Sequence, residues 1–246
     1  MGLKQDILDK IKKHMDESFS VEEVSYVPTL DDSKLTFGNK GLKFNTTVLY
    51  IDLRGSTELL NKHNKSTVAK VHKAYYYTIV KISNSLGGEN RSFNGDSLLV
   101  FFQGTSKATL SNAVQAAMMM TYMLSSSEGI SKHLKKYTSI DFGIGMDDGD
   151  VLCTKVGIGG TYDNKDLIWI GNPVNKSTVL SDKAKSPNHI YISKYVYDNL
   201  LDYVKYHEKE DNWGNKQKVD MWTQTSIIYN GGYITCYYTS YYWTVE

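Results

Sequence analysis

The run Val48-Leu49-Tyr50-Ile51-Asp52-Leu53-Arg54-Gly55-Ser56-Thr57 constrains the fold more than any other stretch of this chain. Thr46 to Leu53 is near-continuously apolar and reads as a strand buried on both faces. It ends in a carboxylate and a Gly-Ser-Thr turn, and a long helical pattern follows. Such an ending places Asp52 at the edge of a sheet and turns the N–H groups of a helix N-terminus into the space beside it. Two readings are open. One puts a metal ion on the carboxylate and a phosphate on the helix end. In the other, Asp52 only ends a strand and Ser56 only caps a helix.

The flanking pattern gives the fold class. From Ser56 to Leu86, Val68, Val71, Tyr75, Ile79 and Ile82 form one apolar stripe, with a break expected near Asn64 and Gly87-Gly88 as the stop. Arg91 to Phe102 reads as two strands joined at Asn94-Gly95, a strong hairpin signal that leaves Asp96 at or just past the tip. Lys107 to Leu124 is a second helix, striped by Leu110, Val114, Ala117, Thr121 and Leu124, with Met118, Met119 and Met120 as core filler. Tyr137 to Met146 and Val151 to Val156 read as strands joined by a turn at Asp148-Gly149. Strand-helix-strand-strand-helix-strand is the ferredoxin-like βαββαβ order, an α+β fold. That order makes neighbours of the strand ending at Asp52 and the strand starting beside Asp96. Two carboxylates with no lysine or arginine evident between them, beside a helix N-terminus, suit Mg²⁺ or Mn²⁺ held together with substrate phosphates.

Outside this unit the chain divides into residues 1–44, an N-terminal helix and linker, and 45–246, the remaining domain. Met1 to about Ser18 is amphipathic, with Leu3, Ile7, Leu8, Ile11 and Met15 at helical spacing; it could pack on its own domain or on a second copy. Residues 19–44 are polar and irregular, a linker with one short strand. After a loop with Gly157, Gly159 and Gly160 come a strand at Asp166–Ile170, a proline-started helix through Ser181, a strand at Asn188–Ile192 and a short helix at Lys194–Leu201. Two β-like runs around Asn230-Gly231-Gly232 close the chain as a hairpin. These are extra C-terminal strands and helices on the βαββαβ core.

Composition excludes several classes. A net charge of +1 over 246 residues leaves no electrostatic footprint for nucleic acid. No apolar run reaches a membrane span, and no signal-peptide core opens the chain, so a cytoplasmic home is the default. Two cysteines make no disulfide framework, and six scattered histidines make no zinc site. Lys132 to Lys136 is a solvated charge run.

From about Val48 to Leu200 the chain resembles the class III nucleotidyl cyclases. The resemblance is carried by Tyr50-Ile-Asp52-Leu-Arg-Gly-Ser-Thr57, Asn94-Gly-Asp96, the strand pair around Gly143-Ile-Gly145, Gly157-Ile-Gly159 and Ile170-Gly-Asn-Pro-Val-Asn175. It implies that Asp52 and Asp96, with the Leu53 carbonyl, hold two divalent ions, Mn²⁺ or Mg²⁺. Leu53, Arg54, Gly55, Ser56 and Thr57 would cradle the triphosphate. Attack of the ribose 3′-oxygen on the α-phosphorus would give a 3′,5′-cyclic nucleotide and pyrophosphate, with two metals clamping attacking and leaving oxygens. The family implies a head-to-tail homodimer in which one chain supplies the metal residues and the other supplies Asn175.

Departures from the family pattern narrow the expectation. The arginine expected four residues after Asn175 is Val179, a change that could remove several kcal/mol of transition-state stabilisation; Arg54, Arg91 and Lys155 are candidate substitutes. The two adenine-reading positions hold Ser92 and Ile168. The aromatic residue two before the metal aspartate, usually Phe, is Tyr50, whose hydroxyl reaches further and suits a smaller base. The Tyr-Ile-Asp-Leu-Arg-Gly-Ser-Thr pattern looks like the pyrimidine cyclases of bacterial Pycsar anti-phage systems, whose product is read by a separate effector protein. The expected activity is therefore UTP to cyclic UMP. CTP to cyclic CMP, an adenylate cyclase with an altered pocket, and a nucleotide-binding domain without turnover stand as alternatives.

Overall fold

The computed structural model describes residues 2–134, 137–159, 164–211 and 213–245. Met1, Gly160 of the glycine loop, and Lys135 and Lys136 of the basic run lie outside them. In chain order the elements are α1 (Leu3–Asp16), β1 (Ser20–Glu23), β2 (Lys40–Arg54), α2 (Ser56–Lys62), α3 (Lys65–Ser85), β3 (Gly88–Asn94) and β4 (Ser97–Gln103). There follow α4 (Lys107–Ser125), α5 (Ser131–Leu134), β5 (Asp141–Gly157), β6 (Lys165–Ile170), α6 (Asn172–Lys183), β7 (Ile190–Ser193) and α7 (Lys194–Asp198). The chain closes with α8 (Asp202–Lys205), β8 (Tyr206–Glu210), β9 (Lys216–Asp220), β10 (Thr223–Tyr229) and β11 (Gly232–Thr239).

β2-α3-β3-β4-α4-β5 is the βαββαβ unit, and its sheet runs β5-β2-β4-β3 with every pair antiparallel. The hairpin β10–β11 and the strand β7 extend the β5 edge, and β8–β9 forms a separate two-stranded ribbon. Alternation along the strands sorts the core. Leu49, Ile51, Leu53, Leu98, Val100, Phe102, Phe142 and Ile144 point to one face, where the stripes of α3 and α4 cover them. Leu42, Phe44, Val48, Leu99, Phe101, Val151 and Cys153 point to the other, where Leu167 and Trp169 of β6 pack. Met118 and Met120 are buried among the first set.

Local signals explain the boundaries. Asn64 breaks the long helical pattern into α2 and α3 and accepts from the Thr67 N–H at 2.9 Å, an N-cap bond. Gly87, at φ +85°, ends α3 where a side chain would be strained. Asn230 and Gly231, both left-handed, make the tip of the β10–β11 hairpin.

Two expectations are corrected. Asp148-Gly149 is no hairpin turn: β5 is one continuous strand that pairs with β2 from Arg54↔Asp141 to Gly41↔Thr154. Asp148 accepts a hydrogen bond of 2.7 Å from Thr47 on β2, so its side chain ties two strands together. The second correction makes the first possible. β2 begins at Lys40, inside the stretch read as linker, and supplies the length against which β5 runs straight. Meanwhile α1 forms as expected but contains no buried residue.

Candidate active site

Asp52 and Asp96 come together as the strand order requires. Asp52 lies opposite Ser97 on β4, and Asp96 sits in the two-residue tip of the β3–β4 hairpin, where Gly95 takes φ +64°. The Leu53 N–H donates to the Asp96 carbonyl at 3.2 Å, stitching the tip to the end of β2. The Tyr76 hydroxyl, on α3, lies 3.0 Å from the Gly95 carbonyl and 3.2 Å from that of Ser97, gripping the tip on both sides of Asp96. Burial, then the two carboxylates, pushes the Tyr76 hydroxyl up to about 12, so it stays a neutral donor.

The Asp52 carboxyl is held above the usual aspartate range, first by burial and then by the neighbouring charge of Asp96, with Arg54 pulling the other way. A buried carboxylate whose ionisation a neighbouring carboxylate makes costlier is what a bound cation relieves. The donor set, all hard oxygens, fits Mg²⁺ or Mn²⁺. These residues therefore fit a hard divalent ion.

Arg54 is not apart from this pair, as the sequence suggested. Its Nη1 lies 3.3 Å from Asp52 Oδ2 and 3.7 Å from Asp182 Oδ1, and its Nη2 donates to the Ser181 carbonyl on α6. Glycine at 143 leaves room for this reach: a Cβ there would sit 2.9 Å from Arg54 Nη2 and would strike the Ser181 carbonyl. Of the other cations considered as substitutes at Val179, Arg91 donates to the Pro28 and Val27 carbonyls, and Lys155 to that of Leu35. Both clamp the segment between β1 and β2. Val179 itself packs beside Leu180 against Ile227 and Cys236 of the C-terminal hairpin.

Gly55, at φ +73°, is the N-cap of α2, and Ser56 is its first helical residue; no side chain caps the first turn. Ser56, Thr57, Leu60, Val68, His72, Gly95 and Asp96 line a pocket of about 380 Å³ in front of it. Tyr50 shares the sheet face of Asp52, half-buried against the Phe44–Val48–Phe101 cluster. Asn175 is exposed on α6. Ser181, which touches Arg54, is six residues further along, about 9 Å at the rise of an α-helix. The structure thus groups Tyr50, Asp52, Arg54 and Asp96, with Asn175 toward the opposite end of α6 from Ser181. Ser92 is exposed at a β-bulge with φ +48°, and Ile168 points out from β6 at 41% exposure. Tyr76, Asp182 and Trp169 escaped the sequence reading. Tyr76 lies next to the expected stripe, and only the fold reveals that it reaches the hairpin tip.

A carboxylate pair where a central strand ends, beside the open N-terminus of a helix, is an arrangement that can hold a cation and an anion side by side. The profile described as the adenylate and guanylate cyclase catalytic domain matches residues 41–230, and the chain belongs to that family. It is 31% identical to the uridylate cyclase of Burkholderia cepacia over 231 residues, which is 89% of this chain and 96% of that protein. It is 26% identical to a cytidylate cyclase of Staphylococcus aureus over 67% of this chain and 49% of that protein. Among solved structures, the guanylyl cyclase Cya2 superposes with a TM-score of 0.64 at 20% identity, covering 81% of this chain and 93% of that one. Among the described residues, no helix is long and apolar enough to cross a membrane.

Proposed function

We propose that this protein is a uridylate cyclase that converts UTP to 3′,5′-cyclic UMP and pyrophosphate. The observation that carries the reading is the facing pair Asp52 and Asp96, on a chain that aligns over nearly the whole length of a uridylate cyclase. The two carboxylates and the Leu53 carbonyl would hold two divalent ions, Mn²⁺ or Mg²⁺. Bound there, the ions supply Lewis acidity to the attacking 3′-oxygen and to the phosphates. The rest falls to the chain. The N–H groups from Gly55 to Thr57 take the triphosphate oxygens, as an open helix end does. Arg54 is the one cation of the three candidates that stands at the carboxylates, and it exchanges its bond to Asp52 for a phosphate oxygen. Tyr50 bounds the base.

Asn175 stands near the start of α6, while the residues of that helix that touch Arg54, Ser181 and Asp182, stand near its end. A head-to-tail homodimer, in which each protomer lends Asn175 to the other's metal residues, supports the arrangement best. The product would act as a second messenger in anti-phage defence, read by a separate effector protein, as the resemblance to the Pycsar cyclases implies. CTP is the competing substrate, favoured by the likeness to the cytidylate cyclase. Incubation with Mn²⁺ and each of UTP, CTP, ATP and GTP, with products identified by chromatography and mass, tests the reading. Cyclic UMP as the main product supports it, and cyclic AMP or cyclic GMP as the main product overturns it.

A further inference from the structure

The first turn of α6 carries Asn175, and no side chain caps it; Gly171 stands at the N-cap position, with Pro173 just inside the helix. An uncapped end leaves four N–H groups without helical partners and frays unless something holds it. Here the hold comes from the strand beneath. Gly143, Gly145 and Asp147 share one face of β5 by the alternation of a strand. The two glycines let the helix backbone press onto that face, since a Cβ at either would strike the Ser181 or the Ser177 carbonyl. At the third position a carboxylate meets the helix instead. Asp147 Oδ2 lies 2.8 Å from Lys176 Nζ, with 2% of the Asp147 side chain and 24% of the Lys176 side chain exposed. The same ammonium lies 5.9 Å from the centre of the Tyr229 ring, whose hydroxyl donates to Asn172 Oδ1 at 3.3 Å. The helix is thus pinned at both ends, by Lys176 on Asp147 at its start and by Arg54 on Ser181 and Asp182 at its end.

An ion pair is a poor way to make this junction stable. Both charges lose water to meet there, and Asp147 Oδ1 is buried with no hydrogen-bond partner among the described residues. Apolar side chains of similar volume would hold the helix to the strand at least as well. What they would lack is direction, because hydrophobic contact has none, whereas a charge-assisted hydrogen bond fixes a distance and an angle. Lys176 is the chain neighbour of Asn175, which is exposed. We propose that Asp147 is a positioning residue: by holding Lys176 it sets the rotation of the first turn of α6, and with it the direction in which Asn175 is presented to the site of the partner protomer. The proposal rests on the cyclase reading and the shared-site dimer above, and it adds the pair of residues that keeps Asn175 aimed. Asp147 acts through Asn175 and not on the nucleotide.

The test compares wild type with Asp147→Asn, Lys176→Met, Lys176→Arg and the double variant Asp147→Leu/Lys176→Met, by melting temperature and by kcat and KM for UTP with Mn²⁺. Asp147→Asn and Lys176→Met should each lower kcat by about tenfold or more, as a small displacement of a reacting group does, and change KM far less. Lys176→Arg, which can still reach Asp147, should keep most of kcat. The double variant should melt as high as wild type, because both charges are gone, yet keep the lowered kcat; full kcat in the double variant overturns the proposal. Lys176→Met, which retains the packing of the stem, decides the matter if the Asp147 variants fail to fold, and an unchanged kcat there overturns the proposal as well. Mixing locates the defect. Asp147→Asn mixed with inactive Asp52→Ala should exceed the summed activities of the two alone, because one site of each mixed dimer is then whole; mixed with Asn175→Ala it should not. Recovery from Asn175→Ala with Asp52→Ala, but none from Asp147→Asn with Asp52→Ala, overturns this proposal and leaves the shared-site reading standing. No recovery from either mixture overturns both.

Discussion

Asp96→Asn should make the protein more stable and deprive it of its response to metal. Asp52 is held above its ordinary pKa by burial and by Asp96. A carboxylate whose folded pKa is raised contributes stability that is full below its unfolded pKa and is lost as pH rises through the folded one. At neutral pH the pair is therefore a liability in the metal-free protein. The substitution removes the charge facing Asp52 and keeps the backbone bond from Leu53 to residue 96. Relief of such a surface-charge conflict yields about 0.5–2 kcal/mol. At roughly 2–4 °C per kcal/mol for a chain this long, the metal-free melting temperature should rise by about 1–8 °C. Divalent ions should then act oppositely on the two proteins. Wild type in Mn²⁺ at a hundred times its Kd gains about 2.7 kcal/mol, or roughly 5–11 °C, while Asp96→Asn gains little. Differential scanning calorimetry at neutral pH, with and without MnCl₂, reads both effects. An Asp96→Asn protein that melts lower than wild type without metal, or that gains as much from Mn²⁺, refutes the view that the two carboxylates share a cation site.

Other predictions follow from single contacts. Gly145→Ala drives a methyl group into the Ser177 carbonyl where α6 crosses β5; it should cost about 1–3 kcal/mol and lower the melting temperature by roughly 2–12 °C, and an unchanged melting curve would show that α6 rides further from the sheet. Tyr50→Phe should leave stability nearly unchanged but shift the order of preference among the four nucleoside triphosphates, as competition assays would reveal; an intact order makes Tyr50 packing only. Mixing inactive Asp52→Ala with inactive Asn175→Ala protein should restore up to about a quarter of wild-type activity through mixed dimers with one whole site, following the statistics of a C₂ pair; no recovery after subunit exchange contradicts sites shared between protomers.

Much of this arrangement was legible because it depends on local periodicity. The apolar run into Asp52, the Asn94-Gly95 signal, the stripes of α3 and α4, and the break at Asn64 each specify their element within a dozen residues. What escaped depends on pairing between distant segments. Asp148-Gly149 carries a genuine turn signal, yet the 15-residue β2 gives β5 a partner on both sides of it, and Thr47 captures the aspartate. The Lys40–Asn45 half of β2 is too polar to announce a strand. The β8–β9 ribbon is largely exposed and charged, so its sequence carries no burial pattern. In β6 the alternation Leu167, Ile168, Trp169, Ile170 is apolar at every step, so sequence alone could not say that Trp169 rather than Ile168 turns toward Ser92. Arg54 read as a phosphate ligand, and only the approach of α6 over Gly143 reveals its hold on Asp52 and Ser181.

The central claim is the reaction itself, and product identification tests it most directly. Purified protein with Mn²⁺ and an equimolar mixture of UTP, CTP, ATP and GTP should yield 3′,5′-cyclic UMP and pyrophosphate as the dominant products by liquid chromatography and mass spectrometry, and Asp52→Ala should abolish both. A cyclic purine nucleotide as the dominant product, or cyclic UMP formed equally well by Asp52→Ala, would contradict the account.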